Sequence, residues 1–80
     1  MITEINESIE CLVHFKNAKI RPLRFLWRNR SFRVEEVTTE YKIKDGGRVF
    51  LTFAVKALGG IYELDCELES LIWRLRRIVA

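Results

Sequence analysis

The chain is poor in the residues from which most catalytic and metal sites are built: one histidine, two cysteines and one proline in 80 residues. A lone His14 excludes a His-rich metal site, and Cys11 and Cys66 stand too far apart for zinc-finger or Cys-x-x-Cys spacing. Both thiols are expected to be buried, as free cysteines commonly are. No metal, no cofactor and no catalytic residues are expected, because neither a nucleophile with its base nor a carboxylate pair in contrasting environments is apparent. The series Glu63, Asp65, Glu67 falls on one strand face, but the neighbouring Lys56, Arg74 and Arg76 supply countercharge, so it reads as structural. No apolar run approaches the roughly 20 residues that cross a bilayer as a helix. The N-terminal "MITEINESIECLVHF" places acids before a short apolar run, the reverse of a secretory leader. These absences favour a soluble, cytoplasmic protein without membrane contact. The four glycines form two pairs, 46–47 and 59–60, with no following helix or Lys-Ser/Thr, so no phosphate-cradling loop is indicated.

What is present is apolar and aromatic: 49% hydrophobic residues, with five Phe, two Tyr and two Trp. That suffices for one small core and is too much for a disordered chain. A single β domain is expected over residues 9–80, behind an N-terminal tail of residues 1–8. The formal charge of +3 permits an anionic partner, yet the two signs are interspersed.

Apolar residues alternate with polar ones along most of the chain, and turn residues interrupt the alternation. A turn at Gly59-Gly60 sets Val55 opposite Leu64, Phe53 opposite Cys66 and Lys56 opposite Glu63. A loop at Glu69-Ser70 sets Cys66 opposite Trp73, Leu64 opposite Leu75, Asp65 opposite Arg74 and Glu63 opposite Arg76. A three-residue loop, Asp45-Gly46-Gly47, sets Val49 opposite Ile43 and Leu51 opposite Tyr41, with Lys44 beside Arg48 and Lys42 beside Phe50 in the outer row. A loop over Arg28 to Ser31 sets Trp27 opposite Phe32 and Arg24 across from Glu35. The phase slips at Glu35-Glu36, which requires a bulge or bend there. Upstream, Ile9, Cys11, Val13 and Phe15 alternate before a "KNAK" turn. The expected fold is all-β: a six-stranded antiparallel meander curled into a small barrel or folded-over sheet. The alternative is α+β, with a C-terminal helix over residues 66–79 packed on the sheet, because Leu68, Leu71, Ile72, Leu75 and Val79 also follow helical spacing.

The run "RPLRFLWRNRSFRVEEVTTEY" resembles a family of short bacterial proteins known only as a domain of unknown function. The resemblance rests on Pro22, Phe25, Trp27, Arg30, Phe32 and Val34, followed by Val37 and Tyr41, and continues through Tyr62, Leu64, Trp73, Leu75 and Arg77. The Glu-Leu-Glu-Ser connection before Trp73 is longer than that family's hairpin turn. The resemblance implies a β-rich bacterial domain and brings no activity, substrate or cofactor with it.

Binding is therefore the function class that the residues favour. Ile72 and Ile78 are expected on the outer face of the last strand, near an edge of the sheet, where a protein partner or a second copy can cover them. The alternative is single-stranded nucleic acid, held by cations left unpaired at two hairpin tips: Arg28 and Arg30 at one, and Lys42, Lys44 and Arg48 beside Phe50 at the other.

Overall fold

Two-residue turns dominate the architecture. At four of them both central residues have positive φ: Asn17-Ala18 (54° and 60°), Arg28-Asn29 (51° and 61°), Gly46-Gly47 (57° and 82°) and Leu58-Gly59 (45° and 75°). Such turns match the right-handed twist of the strands they join. The computed structural model describes residues 1–80. It contains seven strands and no helix: β1 (Thr3–Lys16), β2 (Lys19–Trp27), β3 (Arg30–Arg33), β4 (Glu36–Asp45), β5 (Arg48–Ala57), β6 (Gly60–Glu67) and β7 (Trp73–Ile78). All pairings are antiparallel, in the order β3-β2-β1-β7-β6-β5-β4.

The helix considered for residues 66–79 does not form. β7 is paired on both sides, with β6 and β1, and its Trp73 and Leu75 enter the core. Long-range pairing overrides the local helical preference. Nor are residues 1–8 a tail. β1 begins at Thr3, and Thr3, Glu4, Glu7 and Ser8 lie opposite Ile78, Arg77, Leu75 and Arg74. A bulge between Glu4 and Glu7, with Asn6 at φ 55°, hid this stretch from a period-2 reading, while Ile5 packs against the core.

Six expected strands become seven because the segment expected to bend at Glu35-Glu36 breaks there. Val34 donates its N–H to Leu23 C=O (2.9 Å), whereas Glu35 donates its N–H to Lys56 C=O (2.8 Å). Two adjacent residues thus reach opposite ends of one sheet. The sheet curls into a half-barrel whose outermost strands, β3 and β4, are consecutive in the chain but do not pair with each other.

Registers differ from the expected ones in an informative way. β6 and β7 pair as expected through Cys66 and Trp73, Asp65 and Arg74, and Leu64 and Leu75; then a bulge brings Arg77, not Arg76, opposite Glu63. β5 and β6 are displaced by two residues, with Phe53 opposite Leu64 and Lys56 opposite Ile61, so every side chain keeps its expected face. The same holds for β2 and β3, where Trp27 meets Arg30, Phe25 meets Phe32 and Arg24 meets Arg33 rather than Glu35. β4 and β5 are displaced by one: the loop is Gly46-Gly47, Asp45 meets Arg48, Ile43 meets Phe50 and Lys42 meets Leu51. Their faces are exchanged until a bulge at Thr38 restores Val37 opposite Val55 and Glu36 opposite Lys56.

The concave face holds the core. Phe25, Phe53, Val55, Leu64 and Leu75 are fully buried. Phe25 and Phe32 stack at 4.8 Å with Tyr62 edge-on to both, and Phe53 stacks on Trp73 at 5.6 Å. Each such ring buries roughly 150–250 Å².

Candidate functional site

The cations at the first tip are engaged. Arg28 donates to both carboxylate oxygens of Glu7 (2.7 and 3.4 Å) and lies 4.6 Å from the centre of the Trp27 ring. Trp27 Nε1 donates to the same carboxylate at 2.8 Å. The Arg28 guanidinium, followed by the Trp27 N–H, holds Glu7 below its ordinary pKa, and Glu7 in turn raises that of Arg28. Arg30 lies over the Phe32 ring at 5.6 Å.

The second group is divided between two faces. Lys42 and Lys44 lie opposite Leu51 and Val49, while Phe50 shares the other face with Ile43 and, at two-residue spacing on its own strand, with Arg48. The Phe50 ring is half-buried, beside Asp65, Glu67 and Arg74. Arg48 and Phe50 are brought together; Lys42 and Lys44 are not brought to them. The expected edge position of Ile72 and Ile78 is corrected too. β7 is the central strand, since β1 returns to pair with it. Ile78 lies opposite both Thr3 and Tyr62, and Ile72, half exposed, sits in the loop before β7.

The acidic series is held by arginine. Asp65, 3% exposed, lies between Arg74 (3.9 Å) and Arg76 (3.5 Å), and Glu63 lies 3.7 Å from Arg77. Burial raises the Asp65 pKa against the pull of both guanidiniums. Burial also raises both thiols, Cys11 to about 12, so neither is a thiolate at neutral pH.

The arrangement best suited to a ligand is where the half-barrel stays open. A cleft of about 750 Å³ separates the β1–β2 hairpin from β4. His14, Lys16, Lys19 and Arg21 line it on the hairpin side, Glu35, Glu36 and Glu40 on the β4 side, and Ile20, Val37 and Phe53 add apolar surface. No ion pair joins the two charged walls. Two backbone edges flank this gap. β3 covers only Arg24–Trp27 of β2, so the first half of β2 is uncovered, but there Pro22 has no N–H to offer.

β4 has no neighbour on its outer side along its whole ten-residue length. Its turn geometry tells which groups are free. In a two-residue hairpin the residues flanking the loop form a hydrogen-bonded pair, here Asp45 with Arg48, and such pairs alternate with non-bonded ones. Ile43, Tyr41 and Thr39 thus bond to β5, and the backbone N–H and C=O groups of Lys44, Lys42 and Glu40 face outward. The free edge was missed because identifying an edge requires the strand order. The only local sign of it is the mixture of charged and β-branched residues in "TEYKIK".

No family model, no curated protein and no solved structure matches this chain. The site therefore rests on its geometry.

Proposed function

We propose that the protein is a small, non-enzymatic, cytoplasmic interaction module that takes an extended protein segment as an additional strand along β4. One observation supports this reading above all: β4 is a long edge strand with outward N–H and C=O groups, bordering a cleft with one basic and one acidic wall. Strand addition gives affinity through main-chain hydrogen bonds and selectivity through alternate side chains. The exposed Lys42 and Lys44 alone are what an edge protected against aggregation also carries, and a functional edge is distinguished by accepting a strand.

The test is a random-peptide display selection on the full chain. Selected peptides are expected to slow amide exchange at Glu40, Lys42 and Lys44, and to lose binding to Lys42→Pro. That substitution removes an outward N–H and leaves the β4–β5 ladder intact. If the chain, held dilute enough to be monomeric, selects no peptide, or if the selected peptides bind Lys42→Pro equally well and leave these amides exchanging, the reading is wrong.

A further inference from the structure

The β4 edge is complementary to itself. A two-fold axis perpendicular to a sheet must set some residue opposite its own copy, because any other antiparallel pairing of identical strands would place residues from different faces together. For β4 the choice reduces to which residue lies on the axis. With Glu40 there, two carboxylates face each other; with Lys42, two ammonium groups do. With Ile43, each Lys42 faces the partner's Lys44; with Thr39, Lys42 would face the partner's Glu36, but the bulge at Thr38 would fall inside the paired stretch and break its ladder. With Tyr41 on the axis, Glu40 lies opposite the partner's Lys42 and Lys42 opposite the partner's Glu40, while on the other face Thr39 meets the partner's Ile43 and the two tyrosines meet each other.

We infer that the segment added at β4 is the β4 strand of a second copy of this chain, paired antiparallel with Tyr41 on the two-fold axis. This inference rests on the strand-addition reading above and names its partner. The backbone supports the same register. The outward N–H and C=O groups belong to Glu40 and Lys42, so these residues form the two hydrogen-bonded pairs across the interface, and the two Tyr41 residues form the closer, non-bonded pair. All the side chains involved are available: Thr39, Glu40, Tyr41 and Lys42 are exposed and Ile43 is half-buried. Residues 39–43 are rich in β-branched and aromatic side chains on one face and charged on the other, as an edge that joins another edge requires. Two half-barrels joined this way form one continuous sheet, and the Gly46-Gly47 tip of each hairpin reaches the mouth of the other's cleft, where glycines take little room.

Sedimentation equilibrium of the full chain and of charge-reversed variants tests the pairing. The wild-type chain is expected to dimerise with concentration. Glu40→Lys and Lys42→Glu, each folded by circular dichroism, are expected to weaken the dimer about tenfold or more, since each places two like-charge pairs across the interface. An equimolar mixture of the two variants restores all opposite-sign pairs, as does the double variant, and both are expected to return within about threefold of wild type. A wild-type chain that stays monomeric at millimolar concentration overturns the inference, as does a dimer that neither single variant weakens. Weakening without recovery in the mixture overturns the Tyr41 register. A monomer whose β4 still accepts selected peptides overturns the second copy as occupant and leaves strand addition standing, whereas failure of both experiments removes both.

Discussion

Thr52 and Asp65 face each other across β5 and β6, and both are almost wholly buried on the convex side of the sheet. The Thr52 hydroxyl makes no hydrogen bond there. An unpaired buried hydroxyl is unfavourable, and valine has the same shape, so Thr52→Val is expected to raise stability by about 1 kcal/mol in urea unfolding; a loss of that size would mean that the hydroxyl is bonded. Two other carboxylates set the response to acid. Glu67 accepts from the N–H groups of Glu69 (2.8 Å) and Ser70 (3.1 Å), tying down the loop before β7. The Ser70 side chain and the Glu69 N–H hold its pKa below the ordinary 4.5, as Arg28 and Trp27 do for Glu7. A depressed carboxyl contributes stability that is complete above its unfolded value and is lost as pH falls through the folded one. The unfolding midpoint is therefore expected to drop between about pH 5 and pH 3, and less so in Glu67→Gln and Glu7→Gln. Equal slopes in all three proteins would contradict the assignment. The raised Asp65 acts in the opposite sense: its contribution falls as pH rises from 3.8 through its folded value, which partly offsets the acid loss.

At the scale of elements, the turns decide which residues can meet. The Gly59-Gly60 pair suggests a turn centred on both glycines, but the turn is Leu58-Gly59, and Gly60 serves another need. A Cβ on Gly60 would lie 2.7 Å from the Ala80 carbonyl oxygen, which also accepts the Ile61 N–H. Gly60→Ala is expected to lower stability by about 1–3 kcal/mol through overpacking. Leu58, half exposed and held at φ 45°, is where asparagine suits the backbone better, so Leu58→Asn is expected to raise stability by about 1 kcal/mol. Thermal unfolding of the two variants checks both signs: a loss in Leu58→Asn would mean that the turn is not centred on 58 and 59, and no loss in Gly60→Ala would mean that the Ala80 carbonyl gives way. The offsets explain which sequence expectations survived. A displacement of two residues, as in β5–β6 and β2–β3, leaves each side chain on its face, so the expected core members Phe25, Phe32, Phe53, Leu64 and Cys66 are core. A displacement of one, as in β4–β5, exchanges the faces and separates Lys42 and Lys44 from Phe50. Whether the paired glycines take a two- or a three-residue loop is a small energetic choice with that large consequence.

For the whole molecule, the strand order governs what is available to a partner. β1 returns to β7, so the C-terminal strand is central and the open edge moves to β4. Lys42 and Lys44 fall on the face away from Phe50, which keeps only Arg48 beside it, and Arg28 and Arg30 are engaged at the other tip. A single-stranded oligonucleotide is expected to show only weak binding in fluorescence anisotropy at about 50 mM salt, fading by about 200 mM, with Phe50→Ala unchanged. A tenfold loss in that variant would reinstate a stacking surface. No helix is long and apolar enough to cross a membrane. By itself the sequence determined that the chain is mostly β up to residue 66, with strand and helix both open beyond it, together with the positions of the hairpins to within a residue or two, the bend at Glu35-Glu36 and most of the aromatic core, because each depends on alternation and turn chemistry between near neighbours in the chain. Only the tertiary structure decided that residues 3–8 are strand, that β7 is central, that the half-barrel opens between β2 and β4, and that β4 carries the free edge. Those outcomes depend on which distant strands pair, and β1 and β7 stand at opposite ends of the chain, where no local pattern records their contact.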